Sequence, residues 1–368
     1  MAHRRRREGR PSDLTGDPVT TSTENTRTDQ PASPRPGARR LVAAAATLLL
    51  VATAGVVGSQ SAQAAGAVAC STTGTIDASR TTALRADCAY DDLAVAVGPG
   101  RTVPVPAPGT TLAIGVVMAE GAAELPEVTI TRDAEGRVAV AIGEKVYGDE
   151  TAAESLTAET AETTTPATPR AAAGCGSTTA WSQSSPTWPG AFSWYINGTS
   201  QPHPTAATSA VQWGAYSMAS KYTRCGYQIK TRATSKYVGT TRYAVGVSTA
   251  GGCSTNSDGR NTVGYKSLPS GVLGVTCVLY APTRAIEADI AFTTKASFYV
   301  WSGTGACKPG QFDLRTTAAH EFGHALGLGH TQARSAQIMQ PSVGSCDFST
   351  RLKGAGDAAA IAKLYPLK

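Results

Sequence analysis

His320-Glu321-Phe322-Gly323-His324-Ala325-Leu326-Gly327-Leu328-Gly329-His330 holds three of the five histidines in the 368-residue chain. Imidazole is the commonest protein ligand for transition metals. Residues four apart on a helix share a face, so His320 and His324 can grip one ion. Glu321, next to the first ligand, can reach a water bound there. Gly327 can adopt the left-handed backbone that ends a helix, turning the chain so that His330 returns to the same point. Three neutral nitrogen ligands leave a fourth tetrahedral position open, the pattern of a catalytic rather than a structural zinc.

The stretch spells H-E-x-x-H-x-x-G-x-x-H and resembles the zinc signature of the metzincin metallopeptidases, closest to the matrixin branch. A helix with ordinary core histidines is the competing reading, and three His plus a Glu at fixed spacing weigh against it. The resemblance implies one catalytic Zn²⁺ on His320, His324 and His330, with Glu321 as general base. It also implies a Met-turn after the third ligand, and Met339 in Ser335-Ala336-Gln337-Ile338-Met339-Gln340-Pro341 fits it. Gln340-Pro341-Ser342-Val343 would then form a wall of the pocket beyond the scissile bond. Thr331 stands where matrixins usually carry Ser, a mild departure. No acidic loop stands out as a Ca²⁺ site, which leaves calcium uncertain.

Fold expectations follow from the chain around the motif. The class is α+β, of the α/β-sandwich type, with a twisted mixed sheet, an active-site helix from Thr316 to Leu326, a Met-turn and a closing helix over residues 358–365. Residues 192–196, 227–231, 261–265, 272–280 and 287–292 read as strands, and residues 205–222 as the first long helix, with Val211, Ala215, Met218, Ala219 and Tyr222 on one face. In metzincins an antiparallel edge strand pairs with an extended substrate through backbone hydrogen bonds. Val272, Leu273, Gly274 and Val275 open the strand expected in that role. The resemblance spans about residues 185–368.

The catalytic region, 175–368, follows three other segments. Residues 1–40 hold nine Arg and five acidic residues. Arg39 and Arg40 precede an apolar run from Leu41 to Val57, and Ala62-Gln63-Ala64 follows it, the order of a secretory signal with cleavage after Ala64. Residues 1–64 are therefore read as a disordered leader plus signal, and the protein as secreted. The alternative is a membrane anchor formed by residues 41–57, short and Ala-rich for a span. Residues 66–148 read as a β-rich module with strands at 92–97 and 111–117 and a hairpin over 128–142. It is either a small β module or a pro-region of a zymogen. Residues 149–174, rich in Thr, Ala, Glu and Pro, read as an exposed linker, with Arg170 a processing point.

From residue 41 on, 24 basic residues face 22 acidic ones, so charge gives no case for nucleic acid as a partner. The expected partner is an extended polypeptide, with the chain monomeric and free of stable membrane association once the signal is removed. Eight cysteines without a C-x-x-C pair, in an exported chain, read as disulfides. Proximity suggests Cys70–Cys88, Cys175–Cys225, Cys253–Cys277 and Cys307–Cys346, a connectivity that sequence alone does not fix. Arg224-Cys225-Gly226 matches the tripeptide whose thiolate silences matrixin pro-enzymes, but it lies inside the catalytic region and is read as half of a disulfide. The function expected is zinc-dependent endopeptidase. The alternatives are a zinc hydrolase of non-peptide substrates and an extracellular binding protein with a relic site.

Overall fold

The computed structural model describes residues 73–90, 92–161, 174–202, 204–254, 257–300 and 306–367. The signal, the anchor alternative, Cys70 and Arg170 lie outside them. No helix among the described residues is long and apolar enough to cross a membrane.

Three short strands come first. β1 (Thr73–Asp77) runs parallel to β2 (Asp92–Gly98), and β3 (Arg101–Pro104) runs antiparallel to it. β4 (Thr110–Ala119), β5 (Val128–Arg132), β6 (Val138–Ile142) and β7 (Lys145–Gly148) then form an antiparallel meander. β5, β6 and the turn between them are the hairpin expected over 128–142. α1 (Glu150–Ala161) follows. It falls in the expected linker, whose first half is thus helical rather than extended. Ala and Glu favour helix, and Ala152 and Leu156, one turn apart, bury themselves against Ala139 of β6.

The remaining elements are β8 (Ser182–Gln183), β9 (Phe192–Ile196), α2 (Pro204–Ala219), β10 (Ser235–Thr240), β11 (Thr262–Lys266), β12 (Val272–Ala281), β13 (Arg284–Thr293), β14 (Ser297–Tyr299), β15 (Gln311–Asp313), α3 (Leu314–Ala325), β16 (Leu328–Gly329), β17 (Ser342–Val343) and α4 (Ala355–Leu364). The expected strand at 227–231 is absent. Its alternating residues meet only an isolated bridge, Tyr222 with Gln228, and the strand that pairs with β9 lies at β10. Alternation shows that a segment can be a strand; a neighbour decides whether it is one.

The main sheet runs β10-β9-β11-β13-β12-β4-β5-β6-β7. β10, β9, β11 and β13 are parallel, β12 is antiparallel to β13, and β4 is antiparallel to β12. The mixed α+β class expected from sequence is therefore present. The strand expected at an open edge is not at one. β12 has β13 on one side and β4 on the other, because the apolar run of β4 is buried on both faces and needs a central place in the sheet.

Two cores flank the sheet. On one face α2, α3 and α4 pack through Trp194, Met218, Phe292, Phe322 and Ile361. Phe322 meets Trp194 and Phe192 edge-on, with centroids 4.9 and 5.9 Å apart. Truncating it to Ala would cost about 3–5 kcal/mol. On the other face β1–β3 cover Ile114, Val116, Ile130, Val140 and Val275. Cys175–Cys225, Cys253–Cys277 and Cys307–Cys346 are bonded as expected, and Cys88 is also in a disulfide.

Candidate zinc centre and its supports

α3 carries three of the four residues singled out. Asp313 caps it, accepting hydrogen bonds from Thr316 N at 2.9 Å and Thr316 Oγ1 at 2.8 Å. Arg351 grips the same carboxylate with both arms of its fork, at 2.8 and 2.6 Å, fixing the cap from across the core. At the far end Trp188 Nε1 donates to Ala325 O and Tyr365 OH to Leu326 O, satisfying carbonyls that a helix end leaves free. Gly327 follows with φ +96°, and a Cβ there would lie 2.7 Å from Ser185 O. The turn that returns His330 thus needs glycine both for its conformation and for its space. β16 pairs with β8 beyond this turn, and Ser182 Oγ donates to His330 O at 2.6 Å.

The turn brings the three imidazoles together. Their Nε2 atoms are 3.0, 3.1 and 3.3 Å apart. A tetrahedral zinc with bonds of about 2.0–2.1 Å would hold its nitrogens roughly 3.3 Å apart. His320 Nδ1 donates to Ile338 O at 2.8 Å and His324 Nδ1 to Leu328 O at 2.9 Å. These bonds put the proton on Nδ1 and leave both Nε2 lone pairs facing the common centre. Burial lowers all three pKa values, those of His324 and His330 to about 4, so the rings stay neutral, the ligating form. Facing lone pairs at this separation repel unless a cation sits between them. The donor set fits zinc.

Glu321, fully buried beside the triad, is held at both oxygens. Thr276 Oγ1 of β12 donates to Oε2 at 2.5 Å, and the backbone N–H of Val117 donates to Oε1 at 3.2 Å. Gly274 makes room for it: a Cβ there would meet Oε1 at 2.5 Å. Burial lifts its carboxyl to about 8, against the pull of these two donors.

Met339 packs against the active-site helix at Gly323. It is buried, and its sulfur lies where a Cβ on Gly323 would sit, 2.2 Å away. Asp357 of α4 anchors this turn, accepting from Ile338 N at 2.7 Å, Met339 N at 3.3 Å and Gly354 N at 3.0 Å. Because Ile338 O orients His320, the closing helix reaches the first ligand through two hydrogen bonds.

Val272, Leu273, Gly274 and Val275 lie on β12, and a Cβ on Gly274 would meet Glu321. Cys225 is bonded to Cys175 and is not at the triad. Spacing did not reveal Thr276, Asp357 or Glu127, whose Oε1 lies 3.2 Å from His330 Nδ1. Thr276 had one legible sign: a hydroxyl inside an otherwise apolar strand has to find a partner.

No curated protein matches the chain. Residues 260–366, which run from just before β11 through the triad and the Met-turn to the end of α4, match the family model of the matrixin peptidases. The chain therefore carries a matrixin-like metzincin catalytic domain, the domain of a zinc metallopeptidase.

Proposed function

We propose that the protein is an exported zinc endopeptidase, made as a zymogen, in which Glu321 is the general base. The observation that carries this reading is the buried Glu321 carboxylate beside three imidazoles whose Nε2 atoms converge on one point. When bound, zinc would supply Lewis acidity, acidifying its water and polarising the scissile carbonyl. Glu321 takes the proton of the attacking water and delivers it to the leaving amine. Thr276 holds Oε2, and Oε1, which here receives the Val117 N–H, is the oxygen placed for this transfer. His320 and His324 keep their orientation through Ile338 O and Leu328 O. Export is supported by the charged, apolar and small-residue order of residues 39–64 and by the disulfides, which persist in oxidising compartments.

The test is casein hydrolysis after tryptic treatment, which can cut at Arg170, and full inhibition of the trypsin, with and without chelator. The wild-type chain should hydrolyse casein until chelated. Glu321→Ala should bind one zinc with unchanged stoichiometry and lose about 10³-fold or more in kcat. Full activity in that variant would refute the role of Glu321. Hydrolysis of small esters without casein cleavage would favour a non-peptide hydrolase. Zinc binding without hydrolysis of either would favour a relic site.

A further inference from the structure

β4 lies across the zinc centre. It pairs antiparallel with β12 from Met118 opposite Val272 to Thr111 opposite Tyr280, and parallel with β17 at Met118 and Ala119. Met118 N donates to Pro341 O at 3.0 Å, Ala119 N to Gly271 O at 2.7 Å, and Glu120 N to Val343 O at 2.9 Å. Val117 packs among the catalytic-domain core residues, while Val116 and Met118 pack on the opposite face. The strand is thus held along both edges and both faces.

Its register against the reacting groups is specific. A base that hands a proton to a leaving amine has to lie within hydrogen-bond reach of the amide nitrogen, about 2.6–3.2 Å. Val117 N meets that condition at Glu321 Oε1, at 3.2 Å. The carbonyl of the same peptide belongs to Val116. Gly115 lies against His324, where a Cβ would come within 2.4 Å of the ring. Glycine is the one residue that lets the strand lie this close.

We propose that β4 is a resident substrate mimic. It fills the cleft as a substrate would and presents the Val116–Val117 peptide bond to Glu321 and the triad. Latency then comes from occupation of the cleft rather than from a thiol cap, consistent with the bonding of Cys225 to Cys175. The same register identifies the substrate class as extended peptides with glycine two residues before the scissile bond and valine on each side of it. Hydrolysis of such a peptide consumes one water. The Val–Val C–N bond breaks, a C–O bond forms, the first valine gains a carboxylate and the second an amine.

This inference rests on the peptidase reading, so its test includes readouts that need no hydrolysis. The probe is a fluorescent synthetic peptide of residues 110–119. In the zinc-loaded full chain carrying Glu321→Ala, the seated strand should exclude it. In the double variant Gly115→Leu/Glu321→Ala, the added side chain should drive β4 off His324. Apparent peptide affinity should then rise about a hundredfold, the factor by which a 99% seated strand lowers it. Amide exchange at residues 272–276 should accelerate as well. Should Gly115→Leu fail to fold, judged by near-ultraviolet circular dichroism, Gly115→Ala still places a methyl on the ring. With Glu321 intact, the opened variant should cut the peptide between its two valines.

Equal peptide binding with β4 seated or displaced would overturn the proposal, as would unchanged exchange in both Gly115 variants. Cleavage at another bond would overturn the register while leaving the peptidase reading intact. Peptide binding to the opened variant without any hydrolysis would leave the occupied cleft standing and remove the peptidase reading.

Discussion

Single residues decide how Glu321 is held. Thr276 Oγ1 is its only side-chain donor among the described residues, and Gly274 vacates the space the carboxylate fills. Thr276→Val keeps the shape and removes the donor. We expect activity on casein to fall about 10- to 100-fold, the usual effect of losing an outer-shell partner, with zinc stoichiometry unchanged. Metal analysis beside steady-state kinetics checks this. Lys353 is a second case. It is buried and donates to Ser217 O and Met218 O near the end of α2. Burial lowers its pKa from 10.5 to about 7. The folded state therefore binds fewer protons than the unfolded chain between those values. This contribution to stability is complete above pH 10.5 and is lost as pH falls toward 7. Unfolding free energy should rise with pH across that window, and Lys353→Met should flatten the slope in denaturant titrations. The histidines and Glu321 were legible because one helix turn and one glycine relate them locally. Thr276 meets Glu321 across 45 positions, and no spacing rule reaches that far.

At the scale of elements, α3 is fixed from four sides: by the Asp313 cap, the Arg351 fork, the aromatic pair beneath Phe322, and Met339 against Gly323. The last contact sets a limit. Ala at position 323 would gain about 1 kcal/mol of helix propensity over Gly. It would also place a Cβ 2.2 Å from Met339 Sδ and 2.9 Å from Met218 Cε. Both methionines are buried, and overpacking of this kind costs roughly 1–3 kcal/mol. Overpacking wins, so Gly323→Ala should lower the unfolding midpoint; a rise would show that the Met-turn yields. Elements with their own periodicity, α2, α3, β12 and β13, were readable to within a few residues. The position of β10 was not, since alternation at 227–231 competed with the true strand and only pairing with β9 separates them. The burial of β12 on both edges was also hidden. The residues of β4 announced a strand, but nothing local says that it is buried on both faces or which strand it joins.

For the whole molecule, the metal and the fold are linked through His330. His320 and His324 share one face of a single helix. His330 reaches them only if the Gly327 turn, the β16–β8 pair and the Ser182 bond to His330 O are all in place. Zinc bound by all three ligands therefore favours the folded chain over the unfolded one. Above the dissociation constant, each tenfold increase in free zinc should add about 1.4 kcal/mol to stability. Chelation should remove this increment and lower the unfolding midpoint without breaking any disulfide. His330→Ala separates the two contributions. It keeps the helix pair, loses the ligand that depends on tertiary structure, and should reduce the dependence on zinc to near zero while the metal-free midpoint shifts little. The measurement is calorimetric unfolding at several buffered zinc concentrations for both chains. Equal zinc dependence in the two would mean that His330 does not hold the metal. The triad would then be a two-histidine site, and the closeness of its third ring would need another cause.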